Sequence, residues 1–269
     1  LFNLQEVGYI YSRLTNPTVS ALANRVVALE GGAGGIACSS GHAAQIMALF
    51  PLMQPGRNVV ASTRLHGGTI QQFSNTIRKF GWSAKFVDFD DPKAIEAAID
   101  ADTRAIFCET ICNPGGAISD LDAIARVANQ AHLPLIVDNT TASPYLCRPI
   151  EHGATLVVHS ATKYLTGNGT VTGGVVVDSG TVDWFKDDNF VFLGYAWFPH
   201  GGNGSRVVER GLGLFAAPER KNLEEVVGEI VATRRTREEI YSFYRTDYRS
   251  VVRSVAQVRR ACAPSFQWG

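Results

Sequence analysis

The 269-residue sequence predicts an α/β protein: a doubly wound, mostly parallel seven-stranded sheet followed by an atypical helical C-terminal tail. Three observations carry this. Short β-rich apolar runs recur along the first two thirds of the chain, segments with a 3.6-residue period separate them, and the residues directly after the runs are strongly polar.

Taken in order, NRVVALEG (24–31) reads as a helix that stops in a glycine run. The run GGAGGIA matches a G-x-G-x-x-A dinucleotide fingerprint at Gly32, Gly34 and Ala37, but it follows a helix and precedes a strand, the reverse of the order such a fingerprint needs. It is read as a helix C-cap and turn. The strands are IACSS from 36, NVVAS from 58, KFVDF from 85, RAIFC from 104, LPLIV from 133, TLVVHS from 155 and GGVVVD from 173, six of them apolar enough to be buried. Helices are expected over GHAAQIMALF (41–50), DPKAIEAAID (91–100) and SDLDAIARVANQAH (119–132), the last with Ser119 as its N-cap. Domain boundaries are set at 1–180 for the large domain and 181–269 for a divergent linker and helical segment. In that second part, GYAWFPHGGNGSR is a Gly- and aromatic-rich link, and YRSVVRSVAQVRR places Val251, Val252, Val255 and Val258 on one side of a basic helix.

Composition narrows the function classes. With 25 basic and 25 acidic residues the net charge is zero, so neither nucleic acid nor a membrane surface is expected as a partner. No apolar run approaches the roughly 20 residues that span a bilayer, and residues 1–20 lack a signal-peptide pattern, which predicts a cytoplasmic protein. The five cysteines lie mostly in apolar runs without a C-x-x-C pair, so neither a disulfide framework nor a metal site is expected and none is assigned to catalysis.

In a wound parallel sheet, ligands gather beyond the carboxyl ends of the strands. There the sequence offers Ser40-Gly41-His42, then Glu109 and Asn113, then Asp138-Asn139-Thr140, then Ser160, Thr162 and Lys163. A lysine and an aspartate leaving neighbouring strands on one edge suit pyridoxal phosphate: the amine forms a Schiff base with the aldehyde and the carboxylate pairs with the protonated pyridine nitrogen. Ser160 and Thr162 can donate hydroxyl hydrogen bonds to the phosphate, and the amides of Gly41 and His42 open a helix whose positive end suits the same dianion. Thr140, in the same strand-end set, is counted with the cofactor-binding residues.

The segments YSRLTNPT (11–18), SSGHAAQ (39–45), HGGT (66–69), ETICNPGG (109–116), VDNTTASPYLCRPIEHGA (137–154) and HSATKYLTGNGTVTGG (159–174) together resemble the Cys/Met-metabolism family of pyridoxal-phosphate enzymes, a fold-type I group. The resemblance covers about residues 2–184. NLQEVGYIYSR and YLCRPIEHGA are most similar to its O-acetylhomoserine sulfhydrylase branch.

The resemblance implies a fold-type I large domain and γ-replacement: O-acetyl-L-homoserine and sulfide, or methanethiol, become homocysteine, or methionine, and acetate. It makes Lys163 the Schiff-base lysine and proton shuttle, Asp138 the pyridine-nitrogen partner, Asn113 the contact to the ring hydroxyl and His66 the ring-stacking residue, where the family commonly has tyrosine. Tyr11 and Arg13 would reach the phosphate of a neighbouring subunit, implying a homodimer or homotetramer with shared sites. Cystathionine γ-synthase and methionine γ-lyase chemistry share these cofactor residues and stand as alternatives. The chain begins inside the family's usual N-terminal region, and its tail offers no motif for a substrate-carboxylate arginine, so a non-catalytic truncated remnant is a further alternative.

Overall fold

The computed structural model describes residues 16–182, Ser12, and the backbone of two short strands at 191–193 and 196–198. The chain divides into two units, residues 8–204 and a second made of 1–7 with 205–269; the second unit, and with it the basic helix expected at 248–260, lies outside the described residues.

Helix α1 (Pro17–Glu30) starts where the Asn16 side chain accepts from the amides of Thr18 and Val19, with proline at its first position, and ends at Gly31, whose φ of 75° closes the helix in the left-handed region. The glycine run is thus the cap and turn expected. It leads into β1 (Gly34–Cys38), and α2 (Gly41–Leu49) follows, capped by Ser40 accepting from Ala43 N at 3.1 Å. The remaining core elements are β2 (Asn58–Ser62), α3 (Gly67–Gln71) running on through a π turn and a 3-10 turn to Phe80, β3 (Ser83–Val87), α4 (Pro92–Ala98) and β4 (Thr103–Glu109). Then come α5 (Leu121–Gln130), β5 (Leu135–Asp138), the short α6 (Ser143–Leu146), β6 (Leu156–Ser160) and β7 (Gly174–Asp178). Beyond them, β8 (Val191–Leu193) and β9 (Ala196–Phe198) pair antiparallel, with β9 inside the segment GYAWFPHGGNGSR expected to be a link.

All seven expected strands form one sheet in the order β1-β7-β6-β5-β4-β2-β3. It is parallel except for β7, which runs antiparallel to both β6 and β1. The cap of α5 differs from expectation: Asp120, not Ser119, accepts from Ala123 N at 2.9 Å, because the Ser119 hydroxyl is spent on the carbonyl of Glu109 at 2.7 Å.

Strand alternation sorts the sheet into two faces. Ala105, Phe107, Ile136, Leu156, Val158 and Val176 pack with α2 and the α3 segment, whereas Ile106, Cys108, Val137, Val157 and Val177 pack with α1, α4 and α5. The two-residue period then carries Glu109, Asp138 and Ser160 onto the α2 face at the carboxyl ends of β4, β5 and β6, and His159 onto the opposite face. The site is positioned by that phase.

Candidate active site

Asp138 closes β5 and is buried. Its Oδ1 accepts from Thr140 N at 3.0 Å and from the Thr140 hydroxyl at 2.5 Å, and its Oδ2 accepts from Gln45 Nε2 at 3.1 Å. The Thr140 hydroxyl in turn accepts from Ser160 N at 2.8 Å, so one threonine ties the end of β5 to the end of β6. Oδ2, with one donor, keeps a lone pair for a further N–H.

Across β6 the start of α2 is pressed against the strand end. A Cβ on Gly41 would lie 2.6 Å from Ser160 Cβ and 3.0 Å from Ser160 Cα, so only glycine lets the helix terminus come this close. The amides of Gly41 and His42 have no acceptor among the described residues, and the Ser160 hydroxyl has no partner there, so donors are left free where the start of α2 meets the end of β6. Thr162 is different: its hydroxyl donates to Gly173 O at 3.2 Å and accepts from Gly173 N at 3.0 Å, so it closes the loop before β7.

Lys163 lies three residues beyond the end of β6, the parallel neighbour of β5, and is therefore on the same sheet edge as Asp138. Its side chain is exposed and makes no hydrogen bond or ion pair with a described residue, while its amide donates to Ser160 O at 3.1 Å.

His66 caps α3, and its Nδ1 accepts from Gly68 N at 3.1 Å, so the ring proton sits on Nε2. Its ring is 6.2 Å from that of His42, tilted by 45°. A Cβ on Gly68 would come within 2.8 Å of His42 and 2.9 Å of His66, so that glycine leaves room for both rings. Asn113 is exposed on the loop after β4. Tyr11 and Arg13 lie outside the described residues.

Two side chains in this constellation were not assigned a role from the sequence. Buried Glu109 accepts from His66 N at 2.6 Å and Asn113 N at 3.2 Å, so one carboxylate holds both loops that carry the expected ring contacts. Burial pushes its pKa up to about 7, the nearby Asp138 charge adds to the rise, and the two amide donors oppose it. Gln45, buried on α2, donates to Thr69 Oγ1 at 2.9 Å as well as to Asp138. The available signal was a lone polar residue on an otherwise apolar and small helical stripe.

Behind the sheet, fully buried Glu30 and His159 meet at 2.5 Å between Oε1 and Nε2. Asn139 Nδ2 donates to the same Glu30 oxygen at 2.8 Å and to Cys147 O at 2.8 Å, and Thr110 donates to Asn139 Oδ1 at 2.8 Å. This network grips the residues next to Asp138 and Ser160 from the rear.

The sequence profile of Cys/Met metabolism PLP-dependent enzymes matches residues 1–217, beyond residue 184 where the motif resemblance ends. A homocysteine synthase of Schizosaccharomyces pombe is 50% identical over 188 residues, covering 70% of this chain and 44% of its own length. An O-acetyl-L-homoserine sulfhydrylase of Corynebacterium glutamicum is 47% identical over 194 residues, covering 71% of this chain and 44% of its own. This chain therefore spans less than half the length of these relatives. A solved Campylobacter jejuni structure described as an O-acetylhomoserine (thiol)-lyase, with a pyridoxyl-lysine monophosphate group, superposes with a TM-score of 0.67 at 37% identity, covering 87% of this chain and 62% of that one.

Proposed function

The chain belongs to the Cys/Met metabolism PLP-dependent enzyme family, and from that premise we propose that it is the cofactor-holding part of an enzyme exchanging the acetate of O-acetyl-L-homoserine for sulfide or methanethiol. The observation that carries this is one sheet edge bearing a buried, triply hydrogen-bonded carboxylate at Asp138, an unpaired lysine at Lys163 on the next parallel strand's loop, and the Gly41–Ser160 cradle between them.

The residues present fit pyridoxal phosphate. Asp138 is buried and has acceptor capacity left on Oδ2, as a protonated ring nitrogen requires. The unpaired amides of Gly41 and His42 with the Ser160 hydroxyl suit a phosphate dianion, whereas Thr162 would have to give up its bond to Gly173 to join them. When bound, the group supplies an electron sink that stabilises negative charge at the substrate α-carbon.

The chain's own residues then divide the work. Lys163 would hold the cofactor covalently through its amine and, once displaced by the substrate amine, move a proton between the α-carbon and the adjacent carbon. Asp138 would keep the ring nitrogen protonated. His66 would lie against the ring, Asn113 would reach the ring hydroxyl, and Glu109 would hold both loops in place. Thr140 acts through Asp138 and Ser160. At the γ-carbon the C–O bond breaks with acetate taking the electron pair, and sulfide or methanethiolate, its proton already given to solvent, forms the new C–S bond. Sulfide is its own nucleophile, so no protein thiol is needed.

Among the described residues no helix is long and apolar enough to cross a membrane, and the proposed reading is a cytoplasmic enzyme acting on a small amino acid. Tyr11 and Arg13 would complete the phosphate site of a neighbouring copy in a homodimer or homotetramer. The test is to assay the 269-residue chain with pyridoxal phosphate against O-acetylhomoserine plus sulfide, O-succinylhomoserine plus cysteine, and methionine alone. Turnover in the first mixture above the other two is expected; turnover only in either of the others would reassign the substrate, and a folded chain that binds no cofactor would be a non-catalytic remnant.

A further inference from the structure

Helix α2 buries a stripe of Gly41, Ala44, Gln45, Ala48 and Leu49, at i, i+3, i+4, i+7 and i+8. Gln45 is its one polar side chain. A leucine or methionine there would satisfy the helix without burying an amide, so the amide needs a reason.

Its bonding supplies one. Asp138 can only accept, so the amide NH2, not the oxygen, must face it, and the second hydrogen goes to Thr69 Oγ1. That orientation leaves Gln45 Oε1 buried without a partner, an unfavourable arrangement kept alongside the bond to Asp138. The other two donors to Asp138 both come from Thr140 and both sit on Oδ1. Gln45 is the donor on Oδ2, so among the described residues it alone restrains that oxygen. Glu109, the register partner of Asp138 on β4, is a second buried carboxyl on the same face.

We propose that Gln45 is a positioning residue for Asp138: by donating to Oδ2 it fixes the plane of the carboxylate and aims its remaining lone pair at the ring nitrogen of the cofactor. The assignment rests on the proposed cofactor reading. Through Thr69 it also ties that carboxylate to α3, the element capped by His66.

The experiment titrates pyridoxal phosphate into the full 269-residue chain and its Q45M and Q45E variants at one pH, reading the absorbance of the bound cofactor, with melting temperature measured in parallel. Q45M keeps the volume and removes the orphaned oxygen, so it is expected to melt near wild type yet bind the cofactor about tenfold more weakly, the equivalent of one charge-assisted hydrogen bond. Q45E, which sets a second carboxylate against Asp138, is expected to bind more weakly still. Q45M binding as tightly as wild type would overturn the assignment and make Gln45 a packing residue. If Q45M does not fold, Q45E alone decides: affinity at least about tenfold below wild type is expected, and wild-type affinity in Q45E would overturn the assignment. A wild-type chain that binds no cofactor would overturn the proposed function itself, a result distinct from equal binding by wild type and variant.

Discussion

Glu109 and Asp138 are register partners on adjacent parallel strands, both buried and both on the α2 face, with the carboxylate of one hydrogen-bonded to two backbone amides and that of the other to three donors. Two anions so placed cannot be equally content to ionise, and burial with the Asp138 charge has moved Glu109 upward to about 7.

A pH dependence follows. A carboxyl group whose pKa is higher folded than unfolded binds its proton more tightly in the folded state, so its contribution is full below the ordinary value of 4.5 and is lost as pH rises through about 7. The full difference is roughly 3 kcal/mol as an upper bound. Melting temperature measured from pH 4 to 8 is expected to fall more steeply in wild type than in Glu109→Gln, which cannot ionise. Parallel curves would show that Glu109 does not titrate in that window.

Gly41→Ala should be harmful although alanine is the better helix former. The added Cβ would sit 2.6 Å from Ser160 Cβ and 3.0 Å from Ser160 Cα, so the strand end or the helix start must move. A stability loss of about 1–3 kcal/mol is expected, in the range of overpacked sites, together with weaker cofactor uptake. Urea denaturation and a pyridoxal phosphate titration check both; unchanged uptake would separate the helix start from the phosphate site.

The Glu30–His159 pair is fully buried, so breaking it leaves an unpaired polar group in the core. Glu30→Leu and His159→Leu are each expected to lose about 3–5 kcal/mol in denaturant unfolding. The double variant Glu30→Leu with His159→Leu should recover part of that, because neither polar group then remains. A double variant as unstable as the two single losses added together would contradict a coupled pair.

Much of this was legible in the sequence because it depends on local pattern. The apolar runs locate all seven strands of the sheet, and a period of two puts Asp138 and Ser160 on one face. The antiparallel direction of β7 goes with the connection before it: residues 161–173 hold no helical pattern, and a parallel return needs a crossover helix. Ser119 and Asp120 are both competent caps, and only the position of the Glu109 carbonyl decides between them. Gln45 and Glu109 escaped assignment for a related reason. Their roles are set by partners 93 and 43 residues away, Asp138 and His66, which the fold brings together and no local spacing announces. Strand β9, paired with β8, sits in a glycine- and aromatic-rich stretch that reads as a link.

The central claim is that Lys163 and Asp138, on one edge of neighbouring parallel strands, address a single aldehyde cofactor. Reconstituting the 269-residue chain with pyridoxal phosphate and recording its visible absorbance alongside Lys163→Ala and Asp138→Asn tests it most directly. The account predicts a protein-bound band in wild type that survives gel filtration, is absent in Lys163→Ala, and is weakened and shifted in Asp138→Asn. A band of equal intensity and position in all three proteins would contradict it.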